Sequence, residues 1–252
     1  MKPFTVRLRF HGDLNVFLGS KASDEAIIQR QLAEKTSLKD VIESCGVPHP
    51  EVDLILLDER PVGFDQTVAG DAKVEVYPVA DFGTNRTEKR LQRVDHSRFV
   101  ADGHLGGLSR NMRLLGFDVA YDQNADDRQL LDVMVRQNRA LLTRDRRLLM
   151  HAIVRHGYYP RSQNPEEQTV EVIRRFDLAE LIAPFTRCLR CNAVLQEAAK
   201  AEVIDQLEPL TKIYYDRFRR CPNCKQIYWS GSHFLKLQKR IEQIRARVGR
   251  KP

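Results

Sequence analysis

The 252-residue sequence has no apolar run near the roughly 20 residues that a membrane-spanning helix needs. Its longest runs, such as Leu54–Leu57 and Ala140–Leu142, belong to short buried strands instead. Residues 1–18 alternate apolar and polar and lack the continuous apolar core and small-residue cleavage site of a signal peptide, which predicts a cytoplasmic protein with reduced thiols. There is no Gly-rich loop ending in Lys-Ser/Thr and no G-x-G-x-x-G, so the common phosphate-cradling loops are excluded. Asp102-Gly103-His104 lacks the second aspartate of a phosphatase that forms an aspartyl-phosphate. Positive charge is scarce early in the chain. Residues 1–80 hold 9 Lys and Arg against 13 Asp and Glu, residues 81–186 hold 17 against 15, and residues 187–252 hold 15 against 6. The overall +7 is therefore almost wholly C-terminal, which fits a polyanionic partner or a solvated basic face. With 42% hydrophobic residues the chain can bury a core, and its length predicts two domains plus a small appendage.

Residues 1–80 read as a small α+β unit. Phe4, Val6, Leu8 and Phe10 alternate with polar residues as in a half-buried strand, and Leu14, Val16 and Leu18 continue the alternation after Gly12-Asp13, predicting a hairpin. Ser37-Leu38-Lys39-Asp40 reads as a capping box opening a helix with Leu38, Val41 and Ile42 inward, stopped by Gly46 and Pro48. Strands at Leu54–Leu57 and Val74–Tyr77 close the unit. Its order resembles the β-grasp fold of ubiquitin and the small sulfur carriers. Those carriers need a free C-terminal diglycine, whereas here the chain runs on through Pro78-Val79-Ala80-Asp81-Phe82-Gly83, so a docking module with a protein partner is expected rather than sulfur transfer. Cys45 reads as a small buried apolar residue of this unit. The charged, aperiodic stretch 81–97 reads as a linker.

From 98 to 186 short apolar runs alternate with amphipathic stretches. Strands are predicted at Phe99–Ala101, Phe117–Tyr121, Ala140–Leu142 and Tyr158–Tyr159. Helices carry Leu105, Leu108, Met112 and Leu115 up to Gly116, then Leu130, Leu131, Met134 and Val135, then Leu148, Leu149 and Ile153. Asn164-Pro165-Glu166-Glu167 opens a further helix with an N-cap, a first-turn proline and two carboxylates. This alternation predicts an α/β domain with a parallel sheet. Active sites in such sheets form at the carboxyl ends of the strands. Asp102 directly follows one strand, Asp145 follows another in Leu141-Leu142-Thr143-Arg144-Asp145, and Asp126 and Asp127 open the helix between. Clustered carboxylates there would bind a hard cation, Mg²⁺ or Mn²⁺, and support phosphodiester hydrolysis. Each acid also fits a plain role as a helix N-cap or turn residue.

Four of the five cysteines form Cys188-Leu189-Arg190-Cys191 and Cys221-Pro222-Asn223-Cys224, with 29 residues between the pairs. Two such knuckles make the tetrahedral zinc site of a ribbon, closed to water and therefore structural. Tyr214, Tyr215, Arg217, Phe218, Arg219, Arg220, Tyr228 and Trp229 surround it with the aromatic and basic mixture that stacks on bases and meets phosphates. A last helix, from Phe234 to about Val248, carries an apolar stripe of Leu235, Leu237, Ile241, Ile244 and Val248 beneath basic residues.

The runs Phe99-Val100-Ala101-Asp102-Gly103-His104-Leu105-Gly106-Gly107-Leu108-Ser109-Arg110-Asn111-Met112-Arg113-Leu114-Leu115-Gly116-Phe117-Asp118, Asp126-Asp127-Arg128-Gln129-Leu130-Leu131 and Leu141-Leu142-Thr143-Arg144-Asp145-Arg146-Arg147 resemble the Mut-seven C-terminal RNase family. The resemblance implies a PIN-like nuclease domain over 98–186, a zinc ribbon and basic helix over 187–252, and a ubiquitin-like domain ahead of them. It implies a metal-dependent RNase in which Asp102, Asp127 and Asp145 hold Mg²⁺ or Mn²⁺, with RNA as partner and substrate. Arg110, Arg113, Thr143 and Arg144 are the candidate substrate contacts. Many PIN nucleases carry another acid where this chain has Arg147, so Asp126 is an alternative ligand and a non-catalytic, RNA-binding or ribosome-associated adaptor is the competing reading.

Overall fold

The computed structural model describes residues 2–19, 27–79, 90–92 and 96–249. The chain forms two compact units: Met1–Asp95 with Ala140–Tyr159, and His96–Arg139 with Pro160–Pro252. This division differs from the boundaries read in the sequence, because the segment 140–159 belongs with the N-terminal unit.

In the first unit, strands β1 (Phe4–Phe10), β2 (Ile27–Leu32), β4 (Val52–Leu57), β5 (Arg60–Val62) and β7 (Ala72–Pro78) form a sheet in the order β2-β1-β7-β4-β5. β1 runs parallel to β7 and antiparallel to β2, the arrangement a β-grasp implies. Strands β3 (Thr36–Ser37) and β6 (Thr67–Val68) make a small separate pair. Helix α1 (Leu38–Glu43) starts where the capping box predicts: Ser37 Oγ accepts from the Asp40 amide, and Leu38, Val41 and Ile42 are buried. The predicted hairpin is corrected. Residues Gly12–Phe17 form a 3-10 helix with Leu14 and Phe17 buried three apart, Val16 is 46% exposed, and the antiparallel partner of β1 is Ile27–Leu32. An alternating pattern over five residues also fits i, i+3 burial, and Gly12 at φ +58° turns the chain out of the strand.

Most of the stretch read as a linker lies outside the described residues. Its described part is docked: Arg90 pairs with Asp53 at 2.9 Å, and the Leu91 and Gln92 amides donate to Asp53 oxygens. The first unit also contains β10 (Ala140–Leu142), the short helix α4 (Arg146–Leu149) and β11 (Gly157–Tyr158), with β10 and β11 paired in parallel. The predicted helix through Ile153 is shorter than expected, and Ile153 is 46% exposed.

In the second unit β8 (Arg98–Ala101) pairs in parallel with β9 (Asp118–Tyr121), joined by α2 (Gly106–Leu114). Helix α3 (Asp127–Arg136) buries Leu130 and Met134 but leaves Val135 exposed. Helix α5 (Pro165–Arg175) begins at the Asn164 cap, whose side chain accepts from the Glu166 and Glu167 amides. The ribbon consists of antiparallel β12 (Gln196–Ala198), β13 (Phe218–Arg220) and β14 (Ile227–Trp229), with α6 (Lys200–Val203) and α7 (Pro209–Tyr214) inserted between β12 and β13. Val203, Leu207, Phe218 and Ile227 form its small core. Helix α8 (Ser232–Val248) packs on α5, with Ile241 and Ile244 buried and Phe234 stacked on Phe185 at 4.5 Å. Each buried isoleucine contributes about 1.5–3 kcal/mol. No helix among the described residues is long and apolar enough to cross a membrane.

Candidate functional site

The cysteine ligands converge. Sγ atoms of Cys188, Cys191, Cys221 and Cys224 all lie within 4.8 Å of one another, with Cys191 and Cys221 at 3.3 Å and Cys188 and Cys224 at 3.5 Å. Four free thiols in one cluster are the donor set of a soft, tetrahedral metal such as zinc, so these residues can hold that ion. The knuckles bring the thiols together by local turns: Lys225 at φ +61° and Asn192 at φ +71° close them, and the Cys224 amide donates to Cys221 Sγ. Burial raises the Cys188 thiol, but hydrogen bonds from the Tyr228 hydroxyl and the Cys191 and Arg190 amides outweigh it, bringing it down to about 6. Burial pushes the Cys224 thiol up to about 12. Tyr228, read in the sequence as part of the base-stacking aromatic set, faces the thiols. Its hydroxyl is 3.2 Å from Cys188 Sγ and accepts from the Leu189 amide.

Arg113 is corrected from a substrate contact to a structural one. It is 4% exposed, its Nε and Nη2 donate to the Val119 carbonyl, and its Nη1 donates to the Leu189 and Arg190 carbonyls of the first knuckle. A guanidinium enclosed by main-chain carbonyls has no face left for a phosphate. Burial lowers its pKa, against the raising influence of Cys188 and Cys191. Asn192 completes this join between strand β9 and the knuckle, accepting from the Val119 amide and donating to Asp118. Burial raises the Asp118 carboxyl, but hydrogen bonds from Arg139 and Asn192 prevail and hold it below its ordinary value. Spacing gives no sign of this, since Arg110 and Arg113 look alike on one helix face. Arg110 is the exposed one.

Asp102 directly follows β8, and its Oδ1 accepts from the His104 amide and lies 3.2 Å from the exposed His104 ring. The next residue, Gly103, has no room for a side chain: a Cβ there would fall 2.5 Å from the Gln123 carbonyl oxygen, and Tyr121 Oη donates to the Gly103 carbonyl at 2.8 Å. The loop after Asp102 is thereby pressed onto the loop that leads to α3. At the start of α3, Asp126 is the N-cap in a full capping box with Gln129, while Asp127 is exposed and has no hydrogen-bond partner among the described residues. Asp145, in the first unit, caps α4 through Oδ1, which accepts from the Arg147 and Leu148 amides. Thr143 is fully buried, and its Oγ1 accepts from the Asp145 amide, so it shapes this turn and is corrected as a surface contact for substrate. Arg144 is half-buried over the Tyr159 ring. Among the described residues the cysteines are the one set of three or more metal-ligating side chains gathered within 4.8 Å, and the aspartates form no such set.

Residues 4–82 match the Mut7-C ubiquitin domain and residues 97–241 match the Mut7-C RNAse domain. No curated protein matches the chain. The RNAse match covers more than half of the sequence and takes in the strand-end acids and both cysteine knuckles, so the chain belongs to the Mut7-C RNAse domain family.

Proposed function

We propose that the protein is a metal-dependent ribonuclease with a PIN-like catalytic domain, in which Asp102, Asp127 and Asp145 hold Mg²⁺ or Mn²⁺. The observation that carries the reading is the division of labour at the α3 start: Asp126 spends its carboxylate on the helix, while its neighbour Asp127 keeps an exposed carboxylate with no hydrogen-bond partner among the described residues. Close packing of Gly103 against the Gln123 carbonyl sets the Asp102 loop beside the chain that leads to Asp127. Asp145 caps α4 through Oδ1, which leaves Oδ2 for a cation. Carboxylate oxygens suit a hard divalent cation, which when bound neutralises phosphate charge and activates water. Arg110, exposed on α2, supplies a guanidinium to a phosphate, and Arg144 lies next to Asp145.

The cysteine cluster holds structural zinc in this reading, because four thiolates leave no open coordination position. The basic residues of α8, with Lys236, Lys239, Arg245 and Arg247 exposed, grip the RNA backbone in the cytoplasm. Cleavage of single-stranded and structured RNAs in Mn²⁺, lost in Asp102→Asn by at least about 100-fold, is the expected result. RNA left uncut by the parent overturns the assignment. The second reading, an RNA-binding adaptor, is favoured by exposed Arg147 at a place where many PIN nucleases carry an acid. It predicts salt-sensitive RNA binding with no divalent-ion dependence.

A further inference from the structure

A 3-10 helix leaves its last carbonyls without partners inside the helix, and a planar guanidinium can take two of them together. Val16 and Phe17 end the 3-10 helix of the ubiquitin-like module, and Arg146 donates from Nη2 to the Val16 carbonyl at 3.3 Å and from Nη1 to the Phe17 carbonyl at 2.9 Å. The same guanidinium lies over the Phe17 ring at 5.2 Å and the Tyr159 ring at 6.0 Å, and these two rings meet edge to face at 5.4 Å. Farther along the segment the Tyr159 amide donates to the buried Glu51 carboxylate, and the Val154 carbonyl accepts from the His49 ring, whose Nδ1 faces Glu43. Residues of the module thus hold both ends of one stretch, Arg146 to Tyr159.

Arg146 directly follows Asp145. The helix that Asp145 caps has four residues, far too few to be stable by its own hydrogen bonds. Beyond a few backbone hydrogen bonds, its local ties are the Asp145 cap and the Thr143 hydroxyl. We propose that the ubiquitin-like module is an intrachain brace for the Asp145 turn, with Arg146 as a positioning residue that holds the Asp145 carboxylate in its ligating orientation. This rests on the reading of Asp145 as a metal ligand. The module then braces a turn of its own compact unit, a different use of the β-grasp from a carrier with a mobile tail.

The test uses the full chain with its zinc bound. Amide hydrogen exchange at Arg147 and Leu148 should quicken about tenfold or more in Arg146→Ala, change less in Arg146→Lys, which restores one donor, and stay at the parent rate in Arg147→Ala. Mn²⁺ affinity measured by calorimetry should fall about tenfold in Arg146→Ala and recover in part in Arg146→Lys, with the zinc content unchanged. Parent-like exchange in Arg146→Ala overturns the brace. Faster exchange with parent Mn²⁺ affinity, in a protein whose affinity does depend on Asp145→Asn, overturns the positioning role alone. A parent whose Mn²⁺ affinity is indifferent to Asp145→Asn overturns the metal reading and removes the positioning role with it.

Discussion

The cysteine cluster and the strand-end aspartates are both made of side chains able to ligate a metal, and the protein holds them in opposite ways. The thiols come from two four-residue knuckles, are packed within 4.8 Å, and are braced by Tyr228 on one side and by Arg113 through the Leu189 and Arg190 carbonyls on the other. Asp102, Asp126 and Asp145 instead accept hydrogen bonds from the amides that follow them, and Asp127 stands exposed. A soft, closed site is built into the fold and stabilises it. In the proposed reading a hard-cation site would keep its carboxylates near solvent, open to a phosphate.

Removing the cluster should have the largest effect. Cys221→Ser, or stripping with a chelator, should abolish zinc binding and disorder the ribbon, read by metal content and by the fluorescence of Trp229, the protein's one tryptophan. Structural zinc sites contribute about 10 kcal/mol of apparent binding free energy. Zinc affinity should also fall steeply with falling pH, since the Cys224 thiol, at about 12 without metal, must lose its proton to bind.

Arg113→Met should cost about 3 kcal/mol, because the buried Val119 carbonyl and the part-buried Leu189 and Arg190 carbonyls lose a charged donor. Chemical denaturation checks this, and a loss below about 1 kcal/mol would mean that Arg113 does not tie the knuckle to β9. The sharpest test of the contrast is a pair of neighbours. Asp127→Asn should lower RNA cleavage about 100-fold with an unchanged melting temperature, whereas Asp126→Ala should cost about 1 kcal/mol of stability with cleavage nearly intact. Reversed outcomes would exchange their roles. The smallest effect belongs to α8: replacing Lys236, Lys239 and Arg245 by Gln should reduce the salt dependence of RNA binding by about one unit of slope for each phosphate no longer neutralised.

Much of this was readable in advance where the determining forces are local. The N-cap at Ser37, the helix start at Asp126-Asp127, the Asn164-Pro165 helix start and the Gly116 stop at φ +97° each depend on a few adjacent residues, and each stands where the pattern predicts. The paired CxxC spacing likewise carries its own geometry. Residues 12–17 were misread because strand and 3-10 patterns coincide over so short a stretch. The glycines of Gly103-His104-Leu105-Gly106-Gly107 carried no readable reason, which lies in atoms distant along the chain: a Cβ at Gly103 meets the Gln123 carbonyl, and one at Gly107 meets Pro165.

Composition, periodicity and spacing thus sufficed for the capped helix starts, many of the strands and the cysteine centre, because backbone hydrogen bonds and side-chain periodicity act over a few residues. They could not distinguish Arg110 from Arg113, or join the segment 140–159 to the N-terminal unit. Burial against remote carbonyls and rings settles those questions: the Val119, Leu189 and Arg190 carbonyls enclose Arg113, and the Val16 and Phe17 carbonyls receive Arg146. Such partners exist as partners only once the chain has folded.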